Sequence, residues 1–263
     1  MKVQQLSLVG ADGALVTVYE KRLSSRERGE PEAVARLRAE ARLLAALGAR
    51  ATPRLVGSGE DERGPWLRTE KVPFPTLAER LEAASATGRA ALEPAWVERA
   101  TRAAFGALAE LHAAADASGP LEIVHADLSP ANVAFDDRGA RAVLLDLDLA
   151  RWRGSSPLDG AFRGTVGYCA PEIARGEVPT VASDVFALAA TLLHAATGLA
   201  PRRGPSLAAL LAAAGEVRLL DDPEVGWAEL GARGPAHAAL VRCLAHDATE
   251  RPASARDVLT LMA

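Results

Sequence analysis

Apolar and polar residues alternate weakly from Met1 to Leu8 and again from Ala14 to Leu23, around the turn signal Gly10-Ala11-Asp12-Gly13. This pattern predicts a β-hairpin with Lys21 at the end of its second strand. The period then lengthens: Val34, Leu37, Ala41, Leu44 and Leu47 recur at helical spacing, opened by Pro31 and stopped by Gly48. Glu40 is expected to face away from most of that stripe. Two short strands, Pro53 to Gly59 and Pro65 to Val72, flank the turn Glu60 to Gly64, and a Pro73-Phe74-Pro75-Thr76 crossing leads into a helix from Leu77 to Ala86. A longer helix is predicted from Pro94 to Ala115, with Val97, Ala100, Ala104, Leu108 and Leu111 on one face. A strand-rich part followed by a mostly helical part implies an α+β architecture with a ligand cleft between the two.

Composition narrows the class. At 263 residues, 49% hydrophobic and 24% charged, the chain is long enough to bury a full core. A net charge of -4 gives no reason to expect nucleic acid or an acidic membrane as partner. Cys169 and Cys243 stand far apart, without the spacing of a disulfide framework or a zinc site. The Ala-rich runs are interrupted by charges, and a cytoplasmic protein is expected.

The chemistry concentrates in one stretch. The run Ile123-Val124 enters a polar loop, Val133 and Phe135 leave it, and Asp136-Asp137-Arg138-Gly139 turns the chain back into Ala142 to Leu145. Asp127, Asn132 and Asp146 are thereby delivered to one end of a small hairpin system. Mg²⁺ takes oxygen ligands, keeps several waters, and is usually held by one or two carboxylates plus substrate phosphates. An Asp five residues before an Asn can orient a hydroxyl while the Asn and a second Asp hold the metal.

These residues carry a resemblance. His125-Ala126-Asp127-Leu128-Ser129-Pro130-Ala131-Asn132 resembles the protein-kinase catalytic loop H-R-D-L-x-P-x-N, and Asp146-Leu147-Asp148-Leu149-Ala150-Arg151 resembles D-F-G-L-A-R. Gly164-Thr165-Val166-Gly167-Tyr168-Cys169-Ala170-Pro171-Glu172 is similar to the segment ending A-P-E, which aminoglycoside- and choline-kinase relatives lack. Asp184-Val185-Phe186-Ala187-Leu188-Ala189 resembles the start of the buried helix whose Asp braces the catalytic loop, and Glu250-Arg251-Pro252 resembles the terminal R-P element. The resemblance to the protein-kinase-like superfamily implies a two-lobed fold, with an abbreviated N-lobe at 1–72, a hinge at 73–76 and a C-lobe at 77–263.

It also implies roles and ligands, ATP and Mg²⁺ first. Asp127 orients the acceptor hydroxyl, Asn132 and Asp146 hold the metal, and Lys21, braced by Glu40 nineteen residues later, holds the ATP phosphates. The Glu70 carbonyl and the Val72 amide read the adenine edge, with Thr69 as gatekeeper, and Thr165 shapes the acceptor platform. Glu172 and Arg251 become predicted partners, and His125 a packed core residue rather than a base. The implied acceptor is Ser or Thr of a protein or peptide.

Four departures from the family pattern matter. The eight residues after Gly13 cannot hold two strands and a turn before Lys21, so the first strand and the Gly-rich loop are expected to be missing; a start site placed too late, a strand supplied by a partner or by self-association to complete the N-lobe, and reduced nucleotide affinity are the three explanations open. Ser129 stands where a Lys usually touches the transferring phosphate, which weakens transition-state electrostatics. Asp148 replaces a Gly, either as an extra metal ligand or as a solvated side chain. Ala126 replaces the Arg that receives an activation-segment phosphate, so activity should not require that modification, although Ser155, Ser156 and Thr165 offer hydroxyls. Two other readings stay open: a pseudokinase acting as a binding or regulatory scaffold, and a peptide kinase like those of lanthipeptide pathways. A small-molecule kinase ranks below these because of the A-P-E segment.

Overall fold

The alternation at the amino end folds as predicted. In the computed structural model, β1 (Lys2–Val9) and β2 (Leu15–Arg22) pair antiparallel from Lys2 against Arg22 to Val9 against Leu15. The structure describes residues 2–9, 15–49, 51–153, 155, 164–222 and 227–263, so the expected Gly10 to Gly13 turn and Ser156 lie outside the described residues. Two further strands, β3 (Leu55–Asp61) and β4 (Gly64–Glu70), complete a four-stranded antiparallel sheet in the order β1-β2-β4-β3. Both later strands are shifted from their expected limits. Pro53 has no N–H to give a ladder, and β3 starts only at Leu55.

Helix α1 (Pro31–Leu47) begins with proline in its first turn and stops where Gly48 adopts φ 61°. It lies against β3 and β4 and buries Leu37, Leu44 and Leu47. Glu40 is buried with them, at 5% exposure, contrary to the expectation that it faces away from the stripe. Burial is tolerable because both carboxylate oxygens find donors across the sheet-to-loop junction, as described below.

The remainder is mostly helical. Helix α2 (Leu77–Ala86) starts with a capping box, in which Thr76 and Glu79 satisfy each other's backbone N–H groups. Helix α3 (Pro94–His112) ends three residues before its expected limit, because a two-residue ladder between β5 (Ala115–Asp116) and β6 (Gly119–Pro120) claims the backbone that follows. The next hairpin joins β7 (Val133–Phe135) to β8 (Ala142–Leu144). Then come α4 (Pro171–Ala174), α5 (Val181–Thr197), α6 (Leu207–Glu216), α7 (Trp227–Ala232), α8 (Pro235–Cys243) and α9 (Ala255–Leu261).

Helix α5 is apolar on every side and is the buried axis of this part, with Phe186, Leu188, Leu192 and Ala195 all out of solvent. It contacts α3 and α8, while α9 closes the far side of α3. Each large side chain so buried contributes about 1.5–3 kcal/mol. The helix ends at Gly198, with φ 74°, where an added Cβ would lie 2.0 Å from the Ala90 carbonyl oxygen, so only glycine fits. Among the described residues no helix is long and apolar enough to cross a membrane.

Candidate active site

The polar loop after Ile123 is held from beneath. Val124 and Arg151 exchange two backbone hydrogen bonds of 2.8 Å, which ties the loop's entry to the segment after Asp148. Asp184, at the start of α5 and 1% exposed, accepts from the His125 N–H at 2.7 Å and the Ala126 N–H at 2.9 Å, and meets His112 Nε2 at 2.9 Å. Those bonds hold Ala126 at φ 66°, a left-handed conformation that an alanine adopts only under constraint. His125 is buried, with its Nε2 3.0 Å from the Leu145 carbonyl oxygen, so it is a packing residue as the resemblance implies.

Asp127 emerges from this braced loop. Its Oδ1 accepts from the Thr165 N–H at 2.9 Å and the Thr165 hydroxyl at 2.8 Å, and its Oδ2 from Asn132 Nδ2 at 3.0 Å. Gly164, with φ 115°, lets the chain pass so closely that an added Cβ would sit 3.3 Å from Asp127 Oδ1. Asn132 Nδ2 also donates to the Asp127 carbonyl at 2.8 Å, so the amide oxygen is the atom of this side chain that could coordinate a cation. The Asn132 carbonyl accepts the Leu145 N–H at 2.8 Å and so fixes the loop beside Asp146. Burial raises the Asp127 carboxyl above its usual range despite the Thr165 bonds.

Lys21 reaches in from β2. Its Nζ lies 2.7 Å from Glu40 Oε2 and 2.6 Å from Asp146 Oδ1, which joins the sheet, α1 and the loop after β8 at one atom. Glu40 Oε1 accepts the Leu147 N–H at 3.2 Å, and Asp146 Oδ1 accepts the Asp148 N–H at 3.3 Å, with Asp146 at φ 59°. Burial opposes charge on Lys21, yet the carboxylates of Glu40, Asp146 and Asp148 raise its pKa overall. Burial likewise opposes ionisation of Asp146, but the Lys21 ammonium outweighs it and holds that carboxyl low.

The remaining carboxyls go the other way. Burial pushes Glu40 up to about 7, and burial raises Asp148 as well. Several carboxylates thus share one ammonium, and the surplus of negative charge and oxygen donors suits a hard divalent cation. No three His, Cys, Asp or Glu side chains among the described residues converge as a ready-made cage.

A cleft of about 1030 Å³ opens between the sheet and the helical part, lined by Lys21, Glu40, Thr69, Glu70, Val72 and Asp146 among others. The Glu70 side chain is engaged by Arg54, and the Glu70 N–H donates to the Arg54 carbonyl at 2.9 Å. Two residues escaped the sequence reasoning. Tyr19, two before Lys21 on the same face of β2, also lines the cleft, and the strand period alone could have found it. Arg36, one turn before Glu40 on α1, places Nε 3.7 Å from Asp148 Oδ2, and an i, i+4 reading from Glu40 could have flagged it. Asp148 is therefore neither solvated nor alone.

Away from the cleft, Glu172 and Arg251 form the expected pair, with oxygen-to-nitrogen distances of 2.7 and 2.9 Å.

The protein kinase domain family matches residues 12–260. The serine/threonine-protein kinase PknL of Mycobacterium tuberculosis is 30% identical over 210 residues, covering 74% of this chain and 49% of PknL. The serine/threonine-protein kinase PknK of the same organism is 33% identical over 150 residues, covering 57% of this chain and 13% of PknK. The probable serine/threonine-protein kinase PkwA of Thermomonospora curvata is 31% identical over 150 residues, covering 56% of this chain and 18% of that protein. The aligned part of this chain thus spans at most about half the length of these relatives.

Proposed function

This chain belongs to the protein kinase family, and from that premise we propose that it transfers the γ-phosphoryl group of ATP, with Mg²⁺, to Ser or Thr of a protein or peptide. The observation that carries this reading is the junction at Lys21 Nζ, which holds Glu40 and Asp146 at 2.7 and 2.6 Å on the rim of the cleft that also exposes the Glu70–Val72 crossing. Residues 1–72 then act as the nucleotide-covering lobe, 73–76 as the hinge and 77–263 as the lobe that carries the acceptor site.

In this reading Lys21 binds the ATP phosphates, and Glu40 keeps the ammonium in place. The Glu70 carbonyl and the Val72 amide take the adenine edge. Asp127 accepts a hydrogen bond from the acceptor hydroxyl and so directs its oxygen toward the phosphorus, while the Thr165 bonds fix the carboxylate's orientation. Asn132 and Asp146 hold Mg²⁺, which when bound supplies charge neutralisation on the phosphate oxygens. With Ser129 buried at 2% exposure within the catalytic loop, the usual lysine's charge is lacking there and turnover is slow.

A second reading, a nucleotide-binding scaffold without turnover, is favoured by one observation: Thr165 donates twice to the Asp127 oxygen that an acceptor hydroxyl would seek. Calorimetric titration with ATP, with and without Mg²⁺, on the wild type, Lys21→Met and Asp146→Asn tests the nucleotide site. Mg²⁺-dependent binding lost in both variants is expected. Folded protein that binds no ATP overturns the kinase reading, and binding without transfer of labelled phosphate to any protein or peptide favours the scaffold.

A further inference from the structure

Helix α1 touches the segment 146–148 at two points one helical turn apart. At the first, Glu40 Oε1 accepts the Leu147 N–H at 3.2 Å. At the second, Arg36 Nε stands 3.7 Å from Asp148 Oδ2, with the two side chains only 18% and 15% exposed. Arg36 Nε and Asp148 Oδ1 are buried and find no hydrogen-bond partner, so the attraction between these two charges is what the contact offers them. Two charges this far out of water are costly unless paired, and removing one strands the other. The buried leucines dock α1 on the sheet, and two contacts a turn apart add a fixed rotation and height of the helix relative to the segment 146–148.

We infer that Arg36 and Asp148 form a built-in tether that holds α1, and through it Glu40 and Lys21, in the phosphate-binding arrangement without covalent modification. Asp148 is then a positioning residue that acts through Arg36, not a metal ligand. The inference rests on the proposed nucleotide site, which it deepens. It also accounts for two departures from the family pattern together. Ala126 offers no guanidinium to capture a phosphate on the activation segment, and a permanent carboxylate at 148 does the ordering from inside the chain. The other charges facing the pair are Lys21 and Asp146, joined at 2.6 Å; Lys21 also attracts Asp148 through its charge, while Arg36 is the cation that α1 brings to it.

The test compares Arg36→Met, Asp148→Asn, their double variant, and the conservative Arg36→Lys. Each is read by calorimetry with ATP over a range of Mg²⁺ concentrations and by amide hydrogen exchange across residues 31–47 and at Leu147. Either single neutralisation is expected to weaken Mg–ATP binding by about tenfold, with the double variant no worse than the singles and Arg36→Lys close to wild type. Exchange across α1 should rise equally in the two single variants, the Mg²⁺ concentration for half-saturation should stay unchanged, and phosphatase treatment of the wild type should leave its affinity as it was. An increased Mg²⁺ requirement in Asp148→Asn alone, with Arg36→Met behaving as wild type, overturns the tether and makes Asp148 a ligand. Additive losses in the double variant overturn it too, as does lost affinity after phosphatase. Should the wild type bind no ATP, the nucleotide reading fails by itself, and the tether stands or falls on α1 exchange in the free protein.

Discussion

Two buried ion-pair systems in this molecule are built to opposite rules. Arg251 is satisfied throughout: its guanidinium donates to both Glu172 oxygens at 2.7 and 2.9 Å, and to the carbonyls of Ala245, Ala182 and His246 at 2.8, 3.2 and 3.0 Å. All five of its N–H donors are thereby occupied, and both Glu172 oxygens are paired with one guanidinium. Around Lys21 the balance is broken: Glu40 and Asp146 both contact its ammonium, Asp148 adds a third carboxylate against the Arg36 guanidinium, and burial pushes Glu40 up to about 7. The first system is a brace between α4 and the turn before α9, with every donor of its cation turned to protein oxygens. The second is short of positive charge at the mouth of a cleft, a deficit that the divalent cation of the proposed function would relieve.

The largest effect that separates them is on stability. Arg251→Met leaves the Glu172 carboxylate buried and unpaired, and should lower the unfolding free energy by about 3–5 kcal/mol, measured by urea denaturation. Asp146→Asn, whose side chain is 47% exposed, should change it by less than about 1 kcal/mol while abolishing Mg²⁺-dependent ATP binding. If the two variants lost stability alike, the contrast between brace and receptor would collapse.

A smaller effect appears in the pH dependence, and its sign differs between the two parts. Glu40 has its folded pKa raised to about 7, so its contribution is fully present below the ordinary carboxylate value of 4.5 and is lost as pH rises through about 7. In the helical part, burial lowers the pKa of His194, His237 and His246, so their contribution is present above the ordinary imidazole value of 6.5 and is lost as pH falls through the lowered values. Thermal unfolding from pH 5 to 8.5 should therefore flatten on its alkaline side in Glu40→Gln and on its acid side in His237→Gln. Exchanged assignments would show that the charge balance has been misread.

The smallest effect concerns the thiols. Burial pushes Cys169 up to about 11 and Cys243 up to about 12, so alkylation of the native protein at pH 8 should run more than about tenfold slower than for a free cysteine. Mass spectrometry after timed quenching reads this, and urea should bring both residues to the free rate. Fast native labelling of Cys169 would mean that the segment before Pro171 opens far more than its packing indicates.

Much of this was legible before any coordinates. The alternation around Lys21, the Pro31 to Gly48 helix and the Thr76 cap are local, since each follows from backbone preference and period within a few residues. The Glu172–Arg251 pair spans 79 residues, and no periodicity could have joined it, so that partnership was readable only through the order of motifs. Errors fell where tertiary contact overrides a local rule. Glu40 looks like a polar interruption of an apolar stripe, and it becomes a core residue only because Lys21 and the Leu147 N–H come to meet it.

What the sequence by itself determined was the set of parts and their order: a strand-rich segment, a helical segment, and the acidic and amide groups of one loop aligned with a family of phosphotransferases. Motif spacing is enough for that, because a loop of fixed length between two strands carries its side chains to a fixed end of the hairpin. Only the tertiary structure decided which charges share a partner. Asp148 could have turned to solvent, to a metal or to a neighbour, and it is the packing of α1 beside the loop that sets it 3.7 Å from Arg36. Charges act through distance in space, and the chain's own numbering separates those two residues by more than a hundred positions.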